Sequence, residues 1–192
     1  ALYSNVANSQ STAVGNEAMA YANNTATGIV TYNTALGYSA LRGSATAANN
    51  TGTGNTAIGW SALINNTSGV QNTAVGQSAL LNNLNAQNNT GIGSQALSAT
   101  STGDYNTAVG KSAGQFIDTG ASNTAVGESA IQGVTGNRLT GAQNTAVGRA
   151  AGLLLQGAAA NNTFLGYNAG NTTTTGASNI LIGSGIVAPA AT

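Results

Sequence analysis

The side chains able to do chemistry are few in this 192-residue sequence. Its carboxylates are Glu17, Asp104, Asp118 and Glu128; its cations are Arg42, Lys111, Arg138 and Arg149. Glycoside cleavage needs two carboxylates held at a fixed separation, and these four fall in different segments of a repeating pattern. With no His and no Cys, zinc finds neither imidazole nor thiolate, and no acidic cluster suits calcium. The glycine-rich stretches lack the lysine of a phosphate loop and the alternating helices of a dinucleotide fold. No enzyme activity, catalytic residue, metal site or cofactor is therefore expected. Zero net charge leaves no basic stripe to neutralise phosphates, so nucleic acid is not an expected partner. No apolar run approaches the roughly 18 residues that span a bilayer, so membrane insertion is not expected either.

The pattern behind those scattered charges is a nine-residue unit, Asn-Thr-Ala-Val-Gly-x-Ser-Ala-Leu. Ten copies begin at Ser11, Asn33, Asn55, Asn72, Asn89, Asn106, Asn123, Asn144, Asn162 and Asn179. Their starts lie 22, 22, 17, 17, 17, 17, 21, 18 and 17 residues apart. A short fixed unit with spacers of variable length marks a solenoid whose repeats stack on their neighbours. The reading is an N-terminal flank or cap over 1–10, one elongated repeat domain over 11–187, and a short flank over 188–192. A chain that starts at Ala1 and shows no signal peptide is expected to be a processed product or an excised fragment.

Thr and Val of the unit share one parity and Ala takes the other, the period of a strand. The Val position carries only branched aliphatics: Val14, Leu36, Ile58, Val75, Ile92, Val109, Val126, Val147, Leu165 and Ile182. β-Branching favours strands. The glycine that follows in every copy, Gly15 through Gly183, marks a bend or a close backbone approach. The Asn opening each copy is expected to form a stacked amide ladder or to serve as a turn residue. Ser-Ala-Leu is expected to form a second strand, since one helical turn is marginal alone. The fold class is therefore all-β, a flattened parallel roll of about ten coils.

With the aliphatic row assigned to the interior, the other strand face is nearly methyl-sized: Ala13, Ala35, Ala57, Ala74, Gly91, Ala108, Ala125 and Ala146, then Phe164 and Leu181. Coils of ~17 residues enclose little core, and small cores commonly need oligomerisation. This column is the expected interface between copies, closed by cyclic symmetry. Phe164 and Leu181 then predict a widening toward the C-terminal end, and Ala108→Lys would dissolve the oligomer.

Copies such as Asn72-Thr73-Ala74-Val75-Gly76 and Asn123-Thr124-Ala125-Val126-Gly127 resemble the head repeats of trimeric autotransporter adhesins, and more so the related repeats of bacteriophage tail fibres. The closing Asn179-Ile180-Leu181-Ile182-Gly183-Ser184-Gly185 is similar to the segment that leads toward a C-terminal self-cleaving chaperone domain in many tail fibres. The resemblance covers nearly the whole chain. It implies a left-handed parallel β-roll, a homotrimer, and an extracellular place on a virion tail, binding a host. A bacterial surface adhesin head and a passive fibre spacer are the alternatives. Thr stands where adhesin heads usually carry an aliphatic residue, and no neck, stalk, membrane anchor or chaperone domain is visible. Collagen binding is not carried over.

The sixth repeat position is the expected outer column: Asn16, Tyr38, Trp60, Gln77, Ser94, Lys111, Glu128, Arg149, Tyr167 and Ser184. Lys111, Glu128 and Arg149 alternate in sign on successive repeats, a favourable ladder. Tyr38 and Trp60 form the candidate ligand-contact surface, for a host-surface glycan or protein, unless the long spacers Tyr21–Tyr32 and Arg42–Gly54 fold back over them. The Thr row would suit ice or a mineral surface only if exposed. Its shared parity with the aliphatic row places it inside.

Overall fold

The computed structural model describes residues 10–22 and 30–187. The flanks 1–9 and 188–192, and part of the first long spacer, lie outside the described residues. One strand forms per repeat: β1 (Thr12–Val14), β2 (Thr34–Leu36), β3 (Thr56–Ile58), β4 (Thr73–Val75), β5 (Thr90–Ile92), β6 (Thr107–Val109), β7 (Thr124–Val126), β8 (Thr145–Val147), β9 (Thr163–Leu165) and β10 (Ile180–Ile182). They make a single ten-stranded parallel sheet in strict chain order. The protein is an all-β solenoid with almost no helix; a 3-10 turn at Ala47–Asn49 interrupts the second long spacer.

Register is set residue for residue. Thr73 pairs Thr90, Ala74 pairs Gly91, and Val75 pairs Ile92. The same alignment holds where the spacing stretches to 22, with Thr34 on Thr56. Extra spacer residues are therefore absorbed outside the strands.

Ser-Ala-Leu does not form the expected second strand. It is a turn, with Ser and Leu in the left-handed region, as at Ser78 (φ 56) and Leu80 (φ 50). The turns nevertheless stack: the Leu63 N–H donates to the Ala79 carbonyl at 3.0 Å, and the Leu80 N–H to Ala96 at 2.9 Å. Alternating left-handed residues let the chain reverse within a few positions while its bulky side chain points inward. Each such residue costs about 1–2 kcal/mol of backbone preference, which burial of Leu63, Leu80 and Leu97 offsets.

The core corrects the orientation of the strands. Ala35, Ala57, Ala74, Ala108, Ala125 and Ala146 are fully buried within the single chain. Gly91 is buried too, and Ala13 in the end strand is partly exposed. The methyl column is thus the inner face of the sheet and not a seam between copies. The reason is volume. A Cβ built on Gly91 would already stand 3.3 Å from the Leu80 side chain, so leucines from the turns fill the interior and only a methyl fits opposite. Ala108→Lys would put a charge into this core and unfold it, which makes it no probe of association.

Nor does the interior widen at Phe164. Its ring is fully buried and lies over Gly152 and Gly170, where a Cβ would come within 2.8 and 2.4 Å of it. The ring occupies the space that turn leucines fill in earlier repeats, a swap that conserves core volume.

Candidate binding face

With Ala inside, Thr and the branched aliphatics point outward. Val14, Leu36, Ile92, Val109, Leu165 and Ile182 are exposed, the last by 64%. Thr12, Thr34 and Thr163 are exposed as well, and the intervening threonines partly so. The Thr row is therefore not buried, against the expectation that excluded a surface role for it.

The alternation runs past the strand at both ends. In Tyr32-Asn33-Thr34-Ala35-Leu36-Gly37-Tyr38 the odd members (first, third, fifth, seventh) are exposed, while Asn33 and Ala35 are buried. Four outward columns result: one before the Asn, the Thr row, the aliphatic row, and the sixth-position column.

The Asn column is what holds these rows in line. The Asn33 main-chain N–H donates to the Ser11 hydroxyl, and from Asn55 onward the main-chain N–H of each Asn donates to Oδ1 of the Asn one repeat earlier, as from Asn106 to Asn89 at 2.8 Å and from Asn123 to Asn106 at 2.9 Å. Its Nδ2 donates to a spacer carbonyl, Gly120 in the case of Asn106, at 2.8 Å. Asn55 through Asn144 are fully buried, so these bonds satisfy groups that water does not reach. The ladder expectation for this residue is met; the turn expectation is not, because the left-handed residue is the one before the Asn, as at Gln71 (φ 56) and Tyr105 (φ 58).

Tyr38 and Trp60 stand on adjacent rungs. The Gly59 N–H donates to the Leu36 carbonyl at 2.8 Å and the Ser61 N–H to Tyr38 at 2.9 Å, which brackets the two aromatic residues in one parallel ladder. The two residues are 47% and 51% exposed, so the described spacer residues do not cover them. Asn16 and Gln77, also exposed, flank them in the same column. Farther along, Arg149 bonds Glu128 at 3.1 Å and stacks over the Tyr167 ring at 5.7 Å. The Glu128 hydrogen bond, then the nearby Tyr167, push the Arg149 pKa still higher. Lys111 forms no ion pair among the described residues, so only half of the expected charge ladder closes. Being exposed, the Arg149–Glu128 pair contributes little to stability.

No family model, curated protein or solved structure matches this chain.

Two exposed rings on the opposite margin, Tyr32 and Tyr105, were not singled out by sequence reasoning. Extending the period of two backward through the buried Asn would have found them. A cavity of about 20 Å³ lies beneath the second long spacer, lined in part by Met19, Leu41, Arg42 and Asn50. It is about the size of one water and holds no substrate. No cluster of three metal-ligating side chains occurs among the described residues, and no helix among them is long and apolar enough to cross a membrane.

Proposed function

We propose that this chain is a structural segment of a homotrimeric attachment fibre, of the phage tail-fibre kind, displayed outside the cell and used to reach a bacterial host. In this reading it is a left-handed roll of one coil per repeat and carries no catalytic centre or cofactor. The supporting observation is the outer face of the sheet: an aliphatic row of ten rungs runs beside a row of nine threonines that ends in Ile180, with no charged residue in either row. Apolar surface that continuous on a soluble protein marks an interaction surface. A second and third copy of the same chain match it rung for rung under cyclic symmetry. The seam is thus assigned to the Thr and aliphatic rows, replacing the Ala column.

Sedimentation of the unaltered protein is expected to give three times the 18.6 kDa chain mass. The double variant Val109→Lys, Val126→Glu places opposite charges on adjacent rungs, where they attract within the sheet but spoil the apolar face. It is expected to sediment as a folded monomer. A variant that stays trimeric overturns the seam. Saturable decoration of bacterial cells by the labelled trimer supports attachment, whereas a trimer that decorates none of a broad panel is a passive spacer.

Exposure of the Thr row favours a second reading, an ice-binding face. It requires the face to be free in solution. Thermal hysteresis from a monomer supports it, and a trimer without hysteresis removes it.

A further inference from the structure

We propose that Tyr38 and Trp60 form a binding site for an uncharged saccharide chain lying across successive rungs of the sheet margin. The inference rests on the reading of the chain as an attachment fibre and gives that fibre its ligand class. Three features carry it. The rings sit on adjacent rungs and stay about half exposed, and neither side chain makes a hydrogen bond or ion pair among the described residues. By contrast Tyr167, in the same column, is engaged by Arg149.

The flanking residues add the second feature. Asn16 and Gln77 extend the column on either side of the rings, so amide donors and acceptors bracket an aromatic platform. Ring faces pack against the C–H faces of a pyranose, and amides satisfy its hydroxyls.

Charge supplies the third. The column holds no ionisable group other than the tyrosine itself until Lys111, two rungs past Gln77. The charges that border this stretch neutralise each other: Glu17 accepts from the Ser39 hydroxyl at 2.9 Å and pairs with Arg42 at 3.6 Å, so neither stands alone to draw an anionic polymer or a cationic ligand. The patch matches a neutral ligand.

Trp60 is the only tryptophan in the chain, so its emission reports on the site directly. Titration of the native oligomer with maltohexaose and chitohexaose, neutral chains of hexose and N-acetylhexosamine, is expected to give a saturable emission change with at least one. Tyr38→Ala should weaken that response about tenfold or more, while Arg149→Ala leaves it intact. If neither neutral chain changes the emission while sedimentation still shows a trimer, the site is overturned and the fibre stands. A response to dextran sulfate alone overturns the neutral ligand class. If Tyr38→Ala dissociates the trimer, the ring belongs to the contact between copies and the site is likewise overturned. A monomeric native protein defeats the fibre reading whatever the titration gives.

Discussion

Gly110→Ala is expected to unfold the middle of the stack, at a cost on the order of 4 kcal/mol or more. Two effects combine. Gly110 has φ +134, which L side chains rarely adopt, and a Cβ placed there would stand 2.6 Å from the backbone carbon and oxygen of Gly127. The obstacle is main chain, fixed by its own rung, so no side chain can swing aside to relieve it. Relief requires prising two rungs apart, which breaks the Gly127 N–H bond to Val109 at 2.8 Å and its neighbours. Solenoid stability is close to a sum of repeats and nearest-neighbour interfaces, so one opened interface divides the stack into two shorter ones. Gly136→Ala is the control. A Cβ there meets nothing within 4 Å and its φ is not in the left-handed region, so stability should stay within about 0.5 kcal/mol. Chemical denaturation followed by far-ultraviolet circular dichroism checks both. Equal midpoints for the two variants would mean that the glycine column is not a steric requirement.

That column was legible because ten copies repeat the same glycine, and because glycine is the one residue whose recurrence says that a side chain does not fit. The strands were legible for a similar reason: Thr-Ala-Val alternates with a period of two and carries branched aliphatics. Which face turned inward was not. Alternation defines two faces symmetrically, and bulk argues for the aliphatic one as core. The decision lies elsewhere, in the leucine of the turn, which enters the same narrow interior and leaves room only for Ala35 or Ala108 opposite. The turn itself was hidden because Ser78 and Leu80 adopt left-handed geometry that neither residue type favours. Phe164 could be interpreted only with Gly152 and Gly170 in view, since what admits the ring is the side chain missing from the turn of its own repeat and of the one before. The aromatic pair was legible as a pair from spacing alone. Its exposure was not, since the spacers beside it had no pattern to say where they run.

The same difference between outward and inward positions makes the Asn ladder the most sensitive polar feature of the molecule. Asn106→Leu is expected to cost about 3–6 kcal/mol. Asn106 Oδ1 accepts from the Asn123 N–H at 2.9 Å and from Asn123 Nδ2 at 3.1 Å, while its own Nδ2 donates to Gly120 at 2.8 Å. Leucine leaves the buried Asn123 main-chain N–H and the Gly120 carbonyl without this partner, and each orphaned group costs about 1–3 kcal/mol. Asn106→Asp separates the two halves of the ladder. It keeps the acceptor for Asn123 but loses the donor, and it sets a buried carboxylate against the Gly120 carbonyl. Burial and that lone pair raise its pKa in the folded state above its unfolded value, outweighing the two Asn123 donors that favour the charged form. The sign follows: the folded state then binds more protons than the unfolded one, so stability falls as pH rises through this range. Asn106→Asp should therefore be weakest at neutral pH and regain stability on acidification, when the protonated acid donates to Gly120 as the amide did. Asn106→Leu has no titratable group at this position and should show no such recovery relative to the unaltered protein. Denaturation midpoints of the three proteins measured from pH 7 down to about pH 4 check this. Parallel curves for Asp and Leu would mean that the amide acts by shape alone and that its hydrogen bonds do not hold the rungs in register.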